Sequence, residues 1–152
     1  MTAPIRPRAV TIAAVFWLYM GPSWTLAGSV MVLACVALVE QMPGIDYAAL
    51  DILPWCFLAL LVCGLLGIRG ALRLLALHER GRDNVERANW AAVTIIMVFT
   101  LRTTVLGTWN RVEPIVAGMA AGALAALPFL LMALMLRKAA VRSAIRSAQL
   151  RE

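Results

Sequence analysis

The chain has 152 residues, a net charge of +6, 62% hydrophobic residues and only 14% charged ones. A mean hydropathy of +0.85 exceeds what a soluble domain of this length can bury, which excludes one and points to membrane spans. The basic residues stand at the ends of apolar runs and form no continuous face, a pattern that fits anionic lipid headgroups and not a nucleic acid.

After Arg6 and Arg8, 31 residues pass without a charge before Glu40. As a straight helix that run would be about 46 Å long, against a hydrocarbon core of about 30 Å. A first span is expected over about 9–40, kinked at Gly21-Pro22, because Pro22 cannot donate to the Leu18 carbonyl. A competing arrangement lays residues 9–20 along the interface and lets only Ser23–Glu40 cross. Trp17, Tyr19 and Trp24 favour an interfacial position, but the stretch lacks the polar face such a helix needs. The basic start and apolar run have the outline of a secretory signal; the run continues past Leu26-Ala27-Gly28, so a retained first helix is expected.

Residues 40–52 hold three acids and no base, with a Pro43-Gly44 turn, and read as the first loop. The second span, 53–78, opens at Asp51 and Pro54. Arg69 and Arg73 lie on one face of its far end, and a helix stop is expected at Gly81. The stretch from Arg69 to Trp90 carries five arginines, three acids and the single histidine, His78. Asp83-Asn84-Val85-Glu86 has the form of a capping box that opens the third span, 88–109. Trp90 and Trp109 suit anchors at its two interfaces. The fourth span, 114–136, starts at Pro114, and residues 137–152 form a basic tail helix.

Four spans place the N-terminus, the middle stretch and the tail on one side. That side carries twelve basic residues, whereas the other can claim only Arg102 and Arg111. The asymmetry predicts cytoplasmic N- and C-termini in a bacterial-type inner (plasma) membrane. The expected fold is all-α, a polytopic four-helix transmembrane bundle in a single membrane domain.

Arg102 is the sharpest anomaly. It falls about 10 Å along its helix from Trp109, and its side chain leans toward the helix N-terminus and into the membrane. An acidic partner is expected, with Glu113, Glu40 and Asp51 as candidates near the outer ends of spans. Thr100, Thr104 and Thr108 form a stripe on another face. Gly118 and Gly122 make a GxxxG on the fourth span, and Gly64 and Gly67 offer small faces on the second; both suit close helix packing. Arg69, Arg73, Arg142 and Arg146 are expected against lipid headgroups.

Cys35, Cys56 and Cys63 all lie in apolar runs, an odd number at membrane depth, and read as packing residues. His78 alone supplies neither a haem site nor a zinc site, so no cofactor and no metal are expected. No pair of titratable groups stands at catalytic spacing, so an enzyme is not expected. Small four-helix multidrug exporters carry an essential Glu within the first span, and here no acid precedes Glu40. The expected function is non-enzymatic: a structural or accessory subunit of a membrane complex or homo-oligomer, its partners the lipid bilayer and itself or other membrane subunits. The alternative is a small oligomeric channel or transporter that uses Arg102 and the threonine stripe.

Overall fold

A computed structural model describes residues 7–41, 53–107 and 112–149, and all of its regular structure is helical. Five helices follow one another: α1 (Arg8–Gln41), α2 (Leu53–Leu75), α3 (Glu79–Gly107), α4 (Val112–Leu136) and α5 (Ala139–Gln149). Three of them contain segments long and apolar enough to cross a membrane, Arg8–Leu38, Pro54–Leu75 and Val116–Leu136. The chain is therefore a membrane protein with at least these candidate spans. The remaining long helix, α3, has charged first turns and carries Arg102 near its end.

Chain neighbours pack together. α1 lies on α2, α2 on α3 and α3 on α4, with a lighter contact between α1 and α4. Glycines set the closest approaches, and their partners show that α1 and α2 run antiparallel. Gly67 faces Trp17, Gly64 faces Thr25 and the Gly21 carbonyl, and Gly28 faces Phe57 and Leu61. A Cβ on Gly28 would stand 2.8 Å from the Phe57 carbonyl oxygen, so any larger residue would push the two backbones apart. At membrane depth this closeness replaces the hydrophobic effect as the source of helix association, because lipid is as apolar as a leucine core.

α1 runs unbroken through Pro22 as one element. Three hydroxyls back-bond along it: Ser23 donates to the Tyr19 carbonyl (3.2 Å), Thr25 to Gly21 (2.9 Å) and Ser29 to Thr25 (2.8 Å). Residues 9–20 do not lie alone on a surface. Val10, Ala13, Ala14 and Trp17 are fully buried in the protein core.

The α2–α3 turn differs from the expected stop at Gly81. α2 ends at Leu75, and Leu77 takes a left-handed conformation with φ of 57°. The His78 amide donates to the Arg73 carbonyl (3.0 Å) and the Leu77 amide to Leu74 (2.9 Å), the paired bonds of a Schellman cap. Glycine is the usual residue at such a position, and Leu77 pays about 1 kcal/mol in backbone strain. Its side chain is 5% exposed, so core burial offsets that cost. Gly81 instead lies inside α3, pressed against the backbone of Arg73 and Leu74. Asp83 and Glu86, read from sequence as a capping box, sit within α3 and form ion pairs instead.

The core gathers at the end of the molecule where the basic residues lie. Val10, Trp17, Leu74, Val85, Ala88, Phe129 and Leu136 form one buried cluster. α5 folds back beneath it and adds Val141 and Ile145. The opposite end has no comparable core among the described residues.

Candidate functional site

The most built-up polar constellation lies at the basic end, around Trp17 and Asn89. Both residues are fully buried. The Trp17 Nε1–H donates to Asn89 Oδ1 at 3.0 Å and joins α1 to α3. Gly67 makes room for the indole, since any side chain there would enter the Trp17 ring. Beside it, the Cys63 thiol donates to the Ala88 carbonyl at 3.2 Å, tying α2 to the same turn of α3.

Aromatic rings surround this pair. Phe129 of α4 lies 5.3 Å from Phe16, 5.9 Å from Trp17 and 5.0 Å from Trp24, measured between centroids. Trp17 also meets Phe16 and Trp24 edge-on, at 6.2 and 6.0 Å. Trp17 therefore belongs to the protein's interior and Trp24 packs half-buried against it; of the three aromatics read from sequence as interfacial, Tyr19 stands out most, at 76% exposure. Period counting could not find this cluster, because its members come from two helices far apart in sequence.

The ionic contacts also gather at this end. Arg137 Nε donates to Glu86 at 2.5 Å, and its guanidinium lies 5.5 Å over the Trp90 ring. Arg142 reaches back with Nε and a terminal nitrogen to the Arg137 carbonyl, at 3.1 and 2.7 Å, and fixes the α4–α5 corner. Arg82 grips Asp83 with two nitrogens, at 3.1 and 2.7 Å. The acids of the middle stretch are thus committed to Arg82 and Arg137. Arg69 and Arg73 do not pair with them. Arg146 is exposed on α5, on a face it shares with Arg142 and Ser143.

Two motifs noted separately meet each other. Gly118 of α4 faces the Thr104 side chain, and Gly122 faces Thr100. The small-residue face packs within the chain against the threonine stripe. Thr104 also back-bonds to the Thr100 carbonyl, and Thr103 donates to Phe99 at 2.9 Å. Arg102 is half-buried on α3 and is engaged in contact. The side chains of its candidate partners Glu40, Asp51 and Glu113 lie outside the described residues, as do Trp109 and Thr108. His78 is exposed, with Nδ1 3.1 Å from the Ala76 carbonyl, and among the described residues no three His, Cys, Asp or Glu side chains converge as metal ligands.

No protein-family model matches the sequence, and neither a curated protein nor a solved structure matches it.

Proposed function

We propose that this chain is a non-enzymatic integral membrane protein, a structural or accessory subunit of a membrane complex or of a homo-oligomer. In this reading α1, α2, α3 and α4 all cross a bacterial-type inner membrane, with both termini in the cytoplasm. The positive-inside asymmetry supports the threading, twelve basic residues against two. The antiparallel order of the helices agrees with it.

One observation carries the functional reading: the described polar side chains of the long helices serve contacts between and along helices. Asn89 holds Trp17, Cys63 holds the α3 backbone, and Thr100 and Thr104 fill the space left by Gly122 and Gly118. Such chemistry builds a scaffold. It favours a subunit over a channel lined by the threonine stripe, since that stripe faces the α4 glycines. Outward, the scaffold presents apolar faces, with Leu26, Val30 and Leu33 of α1 all more than half exposed. Lipid or neighbouring subunits cover these faces.

Purification of the tagged full chain in a mild detergent tests this reading. A defined homo-oligomer or a stoichiometric second subunit is expected, by native mass and cross-linking. A monodisperse monomer with no companion overturns the subunit assignment. Solute flux in proteoliposomes that is lost on Arg102→Ala, with assembly intact, would establish the transport alternative in its place. Accessibility of tags on the two termini checks the threading separately.

A further inference from the structure

α2 and α3 enclose an apolar groove of about 320 Å³ whose walls include Val62, Leu66, Ala91 and Ile95, with Cys63 at its floor. It is open along one side. Val62 and Leu66 are 46% and 40% exposed along it. Helical spacing extends both walls toward the basic end. On α2, Val62 and Leu66 continue the same stripe to Arg69 and Arg73. On α3, Ile95 and Ala91 continue to Arg87. An apolar channel therefore runs down into a pair of arginines, one from each wall.

Those arginines are available. Arg69 and Arg87 are exposed and make no hydrogen bond or ion pair among the described residues. The neighbouring acids are committed elsewhere, Asp83 and Glu79 to Arg82 and Glu86 to Arg137. Two uncompensated cations at the foot of an apolar groove call for an occupant with a hydrocarbon body and an anionic head. In a second copy of this chain the described acids at that end, Glu79, Asp83 and Glu86, are paired in the same way. A free anion would leave the apolar walls unused.

We propose that the α2–α3 groove binds one anionic phospholipid, with an acyl chain along Val62, Leu66, Ala91 and Ile95 and its phosphate between Arg69 and Arg87. The site rests on the proposed threading, which sets the α2–α3 turn at the inner leaflet. The groove selects for a chain in the bilayer, and the arginines select for negative charge at headgroup depth.

The test is native mass spectrometry of the full chain, released from micelles holding equal fractions of phosphatidylglycerol and phosphatidylcholine. One phosphatidylglycerol retained per chain, in preference to phosphatidylcholine, is expected. Arg69→Gln and Arg87→Gln should each weaken retention about fivefold, and together about thirtyfold, as expected for surface cations on an anionic lipid. Ala91→Leu, which narrows the groove without changing charge, should also reduce retention, with Val62→Trp as a second groove variant if the first folds poorly. Arg80→Gln, an exposed cation at the same end, should leave it unchanged. Equal retention of both lipids overturns the proposal. So does an Arg80→Gln loss as large as that of Arg69→Gln, which would mean diffuse attraction to the whole basic end. Loss of the lipid site with both terminal tags still cytoplasmic overturns this site alone, whereas tags on opposite sides overturn the threading beneath it.

Discussion

At the basic end Trp17, Leu74, Val85, Leu136 and Ile145 are withdrawn from their surroundings, whereas toward the opposite end Leu26, Leu33, Val116 and Leu124 stand more than 60% exposed. The same chain thus uses two ways of holding helices. At the basic end large rings interlock, a buried hydrogen bond crosses from α1 to α3, and ion pairs close the rim. Toward the other end α3 and α4 meet through Thr100, Thr104, Gly118 and Gly122 in close packing. In the proposed threading the difference follows the solvent. Residues near the aqueous boundary gain from hiding apolar surface, while residues at membrane depth gain only from fitting closely.

Substitutions should separate the two ends. The largest effect is expected at the ring cluster. Trp17→Ala empties a site against Gly67 and Phe129 and should cost about 3–5 kcal/mol, read as a fall in the unfolding midpoint in detergent. Leu77→Ala should cost less, about 2–3 kcal/mol, since it loses burial and keeps the strained backbone; Leu77→Gly should be milder because it relieves the left-handed φ. At the other end, Gly122→Leu should cost about 1–3 kcal/mol by overpacking and should leave the basic end intact, as judged by unchanged protease protection of α5. Asn89→Leu removes the acceptor of Trp17 and should cost about 1 kcal/mol. The smallest change is expected for Glu86→Gln, about 0.5 kcal/mol and weaker still in high salt, because Arg137 is 53% exposed. An equal penalty for Trp17→Ala and Gly122→Leu would erase the distinction between the ends.

Much of the helical framework is legible in the sequence because long uncharged runs leave the backbone few alternatives in lipid. The α2–α3 connection is not, since the usual signal, a glycine, stands at Gly81 and the left-handed residue is Leu77. Local propensity favours the glycine; core burial of a leucine decides the outcome. The Gly118-Gly122 and Thr100-Thr104 motifs are each visible along their own helix. That they face one another depends on the rotation of α3 against α4, which period counting leaves open. Trp17 looks like an interfacial anchor by residue type, and only the void at Gly67 and the acceptor on Asn89 make it a core residue. Glu86 and Arg137, 51 positions apart, carry no mutual signal in sequence.

The position of α5 has a bearing on biosynthesis. Val10 and Trp17 are synthesised well before Val141 and Ile145, yet all four belong to one buried cluster. That end therefore stays incomplete until α5 has been made. A chain that stops before Ala139 would keep the candidate spans of α1, α2 and α4 and still lack Val141 and Ile145 from the cluster. Docking of α5 is thus the step that closes this cluster, and a chain cut before Ala139 should be proteolysed faster at that end.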